Sequence, residues 1–350
     1  SAQKTADRSL YREDDGYSMA YDGKIINRAF QRFDEERRNR QELLQKRRDA
    51  VFLAQPRLRE IDKELQSTMS RLISNALQNG QDPKAAINAL REKNLALQVE
   101  RKNLLANLGL PPDYLDDNPA CPLCGDTGYN LGAMCRCLKK FCAQEQKSEL
   151  SKMLDLGSQS FETFSLDWYS EELNAILGIS ARENMDWIRR TCRRFADSFG
   201  PDSGNLLMTG DPGLGKTFLS AAIARVVSSN GWSVVYDTAA HVFERFEARK
   251  FGRESGEEID ADVDRVLVCD LLILDDLGTE MTTPFVQSAL YSIINGRLLE
   301  RRSTIVSTNL KTPEISRRYS PQIASRLEGE YHILPFFGND IRKLKKTRKT

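Results

Sequence analysis

A phosphate-binding loop is the strongest chemical signal in this sequence. Eight consecutive residues match the pattern G-x-x-x-x-G-K-[S/T]: Gly210, Asp211, Pro212, Gly213, Leu214, Gly215, Lys216 and Thr217. Glycines let the backbone curl so that its N–H groups face phosphate oxygens, and the helix that follows adds its positive end. In such loops the lysine reaches the β- and γ-phosphates and the hydroxyl binds Mg²⁺. The pattern therefore predicts an ATP site, and a chance glycine-rich turn is the weaker alternative.

Two carboxylates supply a second part of the predicted site. Asp275 and Asp276 follow the apolar run Leu271–Leu274, which predicts a buried strand that ends in two acids. Ligands of open α/β sheets bind at the carboxyl ends of strands, so both acids are expected beside the phosphates. We expect Asp275 to hold Mg²⁺, mostly through water, and Asp276 to polarise the attacking water. The alternative is a pair of aspartates that caps the next loop.

Two more polar residues are predicted to act in catalysis. Asn309 closes the predicted strand Thr304–Ser307 at the same sheet edge, where an amide can orient water or sense the γ-phosphate. An ordinary strand-end turn is the alternative role for Asn309. Arg326 ends the last predicted helix and is interpreted as a finger that enters a neighbour's site and neutralises transition-state charge. Arg317 and Arg318 are its rivals, and a solvated helix end is the alternative.

Four of the seven cysteines are spaced like metal ligands. Cys121, Cys124, Cys135 and Cys137 follow the pattern C-x₂-C…C-x-C. Four thiolates with this spacing suit the closed tetrahedral coordination of structural Zn²⁺, and the intervening glycines allow the tight turns of a small knuckle. Free thiols and an iron–sulfur cluster are the alternatives. Cys142 is a possible substitute ligand, but a helical position is the favoured interpretation for it.

Composition excludes several classes of protein. The net charge is only +1 although 29% of the residues are charged, so nucleic-acid contacts must come from local patches. No apolar run reaches the length of about 18 residues that indicates a membrane span, and no secretory signal is visible. The expectation is a cytoplasmic protein without membrane contact.

The C-terminal half alternates between short apolar strands and amphipathic helices. The predicted strands are Leu206–Met208, Ser233–Tyr236, Leu271–Leu274, Thr304–Ser307 and Tyr331–Leu334. The predicted helices between and after them are Lys216–Ser229, Ala239–Lys250, Pro284–Glu300 and Pro313–Leu327. Continuous apolar strands separated by helices indicate a parallel sheet covered on both faces. The predicted fold class is therefore an α/β P-loop domain.

The N-terminal part is predicted to be helical. One apolar stripe has helical spacing: Leu58, Ile61, Leu65, Met69, Leu72 and Ala76. A second helix carries leucines seven residues apart, at 90, 97 and 104, and residues 79–83 supply the turn between them. Two such stripes predict an antiparallel, coiled-coil-like hairpin. Pro56 separates it from a basic helix, Asn27–Leu53, and the whole arm is either a docking module or a solvated spacer.

These differences in composition and in the spacing of apolar residues predict five segments along the chain. Residues 1–24 are expected to be a disordered lead-in, 25–110 a helical arm for partner docking, and 111–145 a zinc-binding segment. Residues 146–200 are expected to be a helical connector, and 201–350 the nucleotide-binding domain with a basic tail.

The motifs together resemble a known family. The segment Gly204–Arg342 is similar to the AAA+ ATPase domain of bacterial replicative helicase loaders of the DnaC/DnaI type and of the related IstB-type transposition helper ATPases. The resemblance rests on the phosphate loop, on Leu271–Gly278, on Ser307-Thr308-Asn309, on Ser325-Arg326-Leu327 and on Gly338-Asn339-Asp340-Ile341-Arg342. It implies that Asn309 is sensor 1, that Arg326 is a trans-acting finger and that Arg342 binds nucleotide as a sensor-2-like residue. It also implies self-association through AAA+ interfaces and little or no helical lid.

The resemblance also implies a contact with single-stranded DNA. In the family, the helix after the second strand carries a segment that faces DNA, which here is His241–Arg253. Arg245, Arg249, Lys250 and Arg253 are interleaved with phenylalanines, a mixture that suits backbone tracking and base stacking. Phe243 and Phe246 share one helical face, so a core role is at least equally expected for them. The tail Arg342–Lys349, with six positive charges, is either a further basic contact or a solubilising tail.

Three functions are compatible with these patterns. The leading interpretation is an ATP-dependent loader of a replicative DNA helicase, which the N-terminal region grips. The second is an IstB-like helper ATPase for transposition. The third is a zinc-bearing adaptor that binds nucleotide without hydrolysing it. The cysteine-bearing segment favours the loader, because the resemblance associates such a linker with loaders.

Overall fold

The computed structural model describes residues 20–78, 83–153, 159–252 and 257–347, with side chains described outside 68–87, 89, 150–153 and 257–258. The chain divides into two compact units. Phe33–Asp126 forms one unit, and the chain up to Arg32 together with Thr127 onward forms the other. Within the described helices, none is long and apolar enough to cross a membrane.

Three long helices dominate the first part of the chain. They are α1 Gly23–Ala54, α2 Pro56–Gln78 and α3 Pro83–Asn107. Arg57 on α2 makes two hydrogen bonds to the carboxylate of Glu100 on α3, of 2.8 and 3.1 Å. Nearer the other end of the pair, Lys93 lies 2.9 Å from Glu64. These contacts confirm an antiparallel hairpin.

The apolar seam of the hairpin includes two of the predicted stripe residues, Leu58 and Ile61, which are both fully buried. Leu58 packs with Val51, Leu105 and Leu115. The predicted stripe positions 69, 72 and 76 and the predicted turn at 79–82 lie outside the described side chains and residues.

Short elements connect the helical region to the main sheet. A two-stranded antiparallel hairpin, β1 Tyr129–Asn130 and β2 Ala133–Met134, is followed by α4 Arg136–Met153. A 3₁₀ turn, Leu166–Trp168, precedes α5 Ala181–Asp197. Ser180 and Glu183 form a capping box at the start of α5, which fixes where this helix begins.

Five parallel strands form the main sheet. They are β3 Leu206–Thr209, β4 Val234–Thr238, β5 Leu271–Leu277, β6 Ser303–Thr308 and β7 His332–Pro335. Their order across the sheet is β4-β5-β6-β3-β7. Because β3 lies between β6 and β7, the loop that follows β3 is near the centre of the sheet edge. The parallel α/β sheet predicted from the sequence is confirmed.

Helices cover both faces of this sheet. They are α6 Lys216–Ser229, α7 Ala239–Phe251, α8 Glu257–Val268, α9 Pro284–Leu299, α10 Thr312–Arg318, α11 Pro321–Glu330 and α12 Ile341–Thr347. Met185 of α5 and Ile223 of α6 belong to the core on one face. Phe243 of α7 and Ile293 of α9 belong to the core on the other. All strand positions from Leu271 to Leu274 are fully buried, as expected for a central strand between two helical layers.

One helix that was predicted to be continuous is interrupted in the structure. The predicted helix Pro313–Leu327 is split into α10 and α11 between Arg318 and Pro321. Pro321 has no N–H to continue a helix, and a proline disfavours helical backbone in the residue before it. Ser320 is accordingly extended, and its hydroxyl accepts a hydrogen bond of 3.2 Å from the Ile323 N–H.

A helix that the sequence analysis did not predict is α8. Its apolar residues Ile259, Val263 and Val266 recur at helical spacing in a helix that also contains five acids and one arginine. Val263 and Val266 are buried and turn this acidic helix towards the core. The periodic signal was present in the sequence, but no element was predicted for this segment.

The boundaries of the units differ from the predicted segments. Tyr21, within the predicted lead-in, is buried, and its hydroxyl donates a 2.6 Å hydrogen bond to the Gly231 carbonyl. The predicted connector 146–200 includes α5, whose buried face is part of the sheet's core. On α4, Gln146 donates to the Val234 carbonyl of edge strand β4 at 2.7 Å. These segments therefore belong to the nucleotide-binding unit.

Candidate functional site

The phosphate loop joins β3 to α6 and is held by the segment that follows β7. Gly213 has φ +78°, and a Cβ there would lie 1.9 Å from the Asp340 Oδ1 atom. Glycine is favoured at this position, because the backbone is left-handed and any side chain would force the Asp340 carboxylate to move. The Ile341 N–H donates to the Gly213 carbonyl at 3.0 Å, so the residues after β7 pack directly on the loop.

Lys216 begins α6 and has its ammonium group at the centre of the site. The side chain is 4% exposed, and its three N–H donors are all used. The Nζ atom donates to the Gly210 carbonyl at 2.5 Å, to the Asp211 carbonyl at 2.9 Å and to the Asn309 Oδ1 atom at 2.7 Å. Burial lowers the pKa of Lys216, while the nearby carboxylates of Asp276 and Asp275 oppose that shift.

The carboxylate of Asp275 is fixed by hydroxyl groups from the two neighbouring strands. Tyr236 on β4 donates to Oδ2 at 2.8 Å, and Ser307 on β6 donates to Oδ1. Asp275 is 5% exposed. Each carboxylate oxygen has a second lone pair, so two acceptor positions remain for water or a metal ion. Because both hydroxyls come from rigid strands, the orientation of Asp275 is set before any ligand arrives.

Asp276 has a different environment from its neighbour. Its φ is +54°, an uncommon conformation for a residue other than glycine, and its N–H donates to the Ser307 Oγ atom at 2.9 Å. Partial burial, together with the charge of Asp275, raises the pKa of Asp276, and the positive charges of Lys216 and Arg342 oppose the rise. A carboxylate whose pKa is raised is a better proton acceptor when ionised, which suits a general base.

These residues fit Mg²⁺ with a triphosphate. Magnesium prefers oxygen ligands and keeps several waters, so a pre-oriented carboxylate with unused lone pairs is a suitable outer ligand. Thr217 lies in the first turn of α6, next to the loop amides. Asp275 and Thr217 are therefore the residues that would hold the ion.

Comparison with known sequences shows what the region around this site is similar to. Residues 189–349 match the model of the family described as IstB-like ATP binding protein. A stretch of 135 residues is 30% identical to the uncharacterized protein YdaV of Escherichia coli K12, covering 39% of this chain and 53% of that one. A stretch of 135 residues is also 24% identical to the replicative helicase loader DnaC of Escherichia coli K12, and it covers 39% of this chain and 54% of DnaC. A stretch of 121 residues is 31% identical to y4iQ/y4nD/y4sD of Sinorhizobium fredii, a protein whose name describes it as an insertion sequence ATP-binding protein. This stretch covers 35% of this chain and 39% of that one.

The C-terminal part of the chain, residues 189–349, is therefore similar in sequence to IstB-like ATP binding proteins, and the chain is also similar to the DnaC loader. The chain spans about half the length, or less, of these curated relatives. Among solved structures, the DnaC helicase loader has a TM-score of 0.43 at 19% identity, covering 52% of this chain and 99% of that one. DnaI has a TM-score of 0.42 at 21% identity, covering 56% and 100%. Because both TM-scores lie below 0.5, the fold is assigned from the strand order described above and not from these structures.

Within this matched region the three candidate finger arginines differ in their contacts. The Arg326 guanidinium lies 5.3 Å from the centre of the Tyr291 ring and donates to the Tyr291 hydroxyl at 3.2 Å. Arg318 donates to the Thr282 hydroxyl at 2.8 Å and to the Glu280 carbonyl at 2.5 Å, so its donors are used within the chain. Arg317 is exposed. Arg326 therefore stays the predicted finger.

Arg342 lies close enough to the phosphate loop to act on its charges. Its backbone N–H donates to Asp340 at 2.9 Å, next to the loop contact of Gly213. The positive charge of Arg342 favours the ionised form of Asp276 and lowers the pKa of Lys216. A nucleotide-sensing role for Arg342 stays a prediction.

The residues predicted to contact DNA lie on α7, apart from Arg253, which is outside the described residues. Arg245 and Arg249 each lie within 4.0 Å of two carboxylates, and Lys250 lies over the rings of Phe251 and Phe285. Phe243 is buried and Phe246 packs against the core, in agreement with the core role considered for them. DNA contact by the basic residues stays a prediction.

The four predicted metal ligands come together. The Sγ atoms of Cys121, Cys124, Cys135 and Cys137 lie within 4.8 Å of one another. Tetrahedral zinc with Zn–S bonds of about 2.3 Å needs sulfur atoms roughly 3.8 Å apart, so the set fits one such ion. The Cys135 N–H donates to the Gly128 carbonyl at 2.8 Å, and the Asp126 carboxylate accepts from the Cys121 N–H at 2.9 Å. The backbone thus holds the knuckle in a form that could bind zinc.

Cys142, the possible substitute ligand, is a buried residue of α4. Its Sγ atom lies 3.8 Å from the Met134 sulfur, and burial raises its pKa to about 11. This agrees with the helical position favoured for it.

Sequence reasoning missed the residues that orient the site. Tyr236 and Ser307 lay within predicted strands but had no predicted role. A buried tyrosine usually directs its hydroxyl to a hydrogen-bond partner. A tyrosine such as Tyr236, in an apolar strand predicted beside the Asp275 strand, was therefore a usable signal for such a contact. Tyr169, whose hydroxyl donates to the Leu214 carbonyl at 2.8 Å, lay in a segment interpreted as a connector.

We expect hydrolysis to depend on the ionised form of Asp276. Asp276→Asn should lower the ATPase rate by at least about a hundredfold and leave ATP binding intact, since the amide cannot accept a proton. In the wild type, the ATPase rate should fall as the pH drops through the pKa of Asp276, because the carboxylate becomes protonated. This fall should occur above pH 3.8, the ordinary pKa of an aspartate, because the pKa of Asp276 is raised. Phosphate release measured against pH tests both points. A wild-type rate in Asp276→Asn would contradict the assignment.

We expect the cysteine knuckle to contain one zinc ion per chain. Cys124→Ser removes one of four thiolates and should abolish retention of zinc, as measured by elemental analysis of purified protein. Cys142→Ser is the matched control and should keep the metal. Equal zinc loss in both variants, or iron in place of zinc, would contradict the proposed site.

Proposed function

We propose that the chain is an ATP-dependent loader of a replicative DNA helicase onto single-stranded DNA during replication initiation. The observation that supports this best is the arrangement of charges around the nucleotide site. Lys216, Asp275 and Asp276 form a nucleotide-binding set within one chain, while Arg326 lies on the surface beside Tyr291. Such an arrangement suits ATP hydrolysis at the interface between two copies of the chain.

Residues of one chain would bind the triphosphate and prepare the water. The loop amides and Lys216 would bind the phosphates, and Lys216 would exchange its three internal acceptors for phosphate oxygens. Asp276 would accept a proton from the attacking water, and Asn309, 2.7 Å from Lys216, would report on the γ-phosphate. Mg²⁺ held by Asp275 and Thr217 would neutralise phosphate charge.

A second copy would complete the site. Arg326 has its planar guanidinium stacked near an exposed aromatic ring, which limits its conformations while leaving it available to another molecule. A finger supplied in trans stabilises the charge that spreads over the transferred phosphoryl group. Hydrolysis would then depend on assembly along DNA, and the isolated chain would turn over slowly.

The helical unit and the knuckle would grip the helicase. The unit Phe33–Asp126 includes both helices of the antiparallel hairpin, a form of surface that proteins use to dock other helical proteins. The similarity to a protein named as a replicative helicase loader supports this choice of client. Such a client would place the activity in the bacterial cytoplasm.

A second candidate is an IstB-like helper ATPase for transposition. The match to the IstB-like family and the similarity to a protein named for an insertion sequence favour it. A zinc-bearing adaptor that binds ATP without turnover is the third. Capture of a purified replicative helicase by the full chain, with a transposase as the competing bait, separates the first two. Phosphate release with and without single-stranded DNA separates both from the adaptor.

We expect Arg326→Ala to abolish DNA-stimulated ATP hydrolysis while ATP binding is retained. Loss of a trans-acting arginine lowers the rate by roughly a thousandfold in enzymes of this kind. Arg317→Ala removes an exposed arginine from the neighbouring helix α10 and should keep the wild-type rate. Steady-state phosphate release gives the rates, and a fluorescent ATP analogue gives the affinity. Loss of ATP binding in Arg326→Ala would show that this residue has a structural role instead.

A further inference from the structure

Helices α7 and α8 face each other with opposite charge. On the α7 side, Arg245 lies 2.6 Å from Asp237 and 3.9 Å from Asp262. Arg249 lies 3.0 Å from Asp260 and 2.8 Å from Asp264. Two guanidinium groups predicted to bind phosphates therefore already have four carboxylates as partners. At rest neither of these two guanidinium groups is free to contact a phosphate backbone.

The two arginines differ in how firmly they are held. The Arg245 side chain is 19% exposed and its partner Asp237 only 10%, so this pair is part of the packed structure. The Arg249 side chain is 40% exposed, and its partners Asp260 and Asp264 are 64% and 34% exposed. Exposed ion pairs contribute little to stability and are readily exchanged. Arg249 is thus the guanidinium that can change partners by rotation of side chains alone.

Carboxylate and phosphate compete for the same donor geometry. A guanidinium group offers parallel N–H donors that match two oxygens of either anion. In Arg249 the Nη1 atom donates to the Asp264 Oδ1 atom at 2.8 Å, and the Nε atom lies 3.0 Å from the Asp260 Oδ1 atom. Phosphate oxygens would take these positions. The acids of α8 therefore stand where a nucleic-acid backbone would lie.

We propose that Arg249 is an exchangeable phosphate site for single-stranded nucleic acid, with Asp260 and Asp264 as its resting occupants. The inference rests on the proposed DNA-binding function and adds its regulation: α8 lowers the affinity of α7 for the backbone until phosphates replace its carboxylates. Arg245 stays with Asp237 and keeps the start of α7 in place. The opposing view is that the three ion pairs between α7 and α8 only hold these two helices together.

Neutralising the two acids tests this directly. The double variant Asp260→Asn/Asp264→Asn should bind fluorescein-labelled oligo(dT) roughly twofold to thirtyfold more tightly than the wild type, the range expected for removing two exposed ion pairs. The control variant Glu172→Gln/Asp202→Asn makes the same change in net charge at exposed positions outside α7 and α8 and should leave the affinity unchanged. Fluorescence anisotropy at fixed salt, with ATP and Mg²⁺ present, measures all of them.

A third substitution shows whether Arg249 is the group released. Arg249→Ala in the double variant should remove the gain and reduce the slope of log affinity against log salt concentration by about one, as expected for one lost phosphate contact. Thermal unfolding of each variant reports whether α7 and α8 remain packed.

The outcomes separate this inference from the proposed function. If the wild type binds oligo(dT) and the double variant binds no more tightly, or if Arg249→Ala leaves the gain and the salt slope intact, exchange at Arg249 is wrong while helicase loading stands. If no variant binds oligo(dT), both exchange and the DNA-binding part of the proposed function are wrong. If the control gains as much as the double variant, the effect is one of total charge, and exchange is again wrong.

Discussion

The buried ammonium group of Lys216 is the charge around which the nucleotide site is organised. Taking an ammonium out of water is costly unless its donors are used and opposite charge is near. Two loop carbonyls and the Asn309 amide use the donors, and the aspartate pair at the end of β5 supplies the opposite charge. These partners come from three parts of the chain, so the site forms only when β3, β5 and β6 are side by side. A triphosphate can take over the same ammonium, because the partners it displaces are neutral acceptors.

Parallel strands also explain why the two aspartates differ. Asp275 pairs in register with Thr238 of β4, and hydroxyls from β4 and β6 reach both of its oxygens. One residue later the backbone of Asp276 has turned into the left-handed region, and only its N–H is tied to Ser307. The first carboxylate is therefore held by two hydroxyls, while the second has a raised pKa. One step along the chain separates the proposed magnesium ligand from the proposed base.

The sequence was sufficient for the fold and for the chemical groups, but insufficient for their supports. Motifs such as the phosphate loop have fixed spacing because they are local, so Lys216 and the aspartates could be placed from residue types alone. The sheet followed from apolar runs of a length that suits buried strands. The partners of Tyr236 and Arg249 could not be predicted in this way, because they lie on other elements. Which residues meet depends on which strands and helices become neighbours. The split between α10 and α11 was readable from Pro321, whereas α8 was hidden by its own acidic residues.

Binding of ATP to the full chain tests the central role of Lys216 most directly. Calorimetric titration with ATP in the presence of Mg²⁺ should show one saturable site per chain in the wild type. The same titration of Lys216→Ala should show no binding, since the phosphates would lose the cation on which the loop, the aspartate pair and Asn309 converge. Unchanged affinity in Lys216→Ala, or absence of binding in the wild type, would contradict this account of the site.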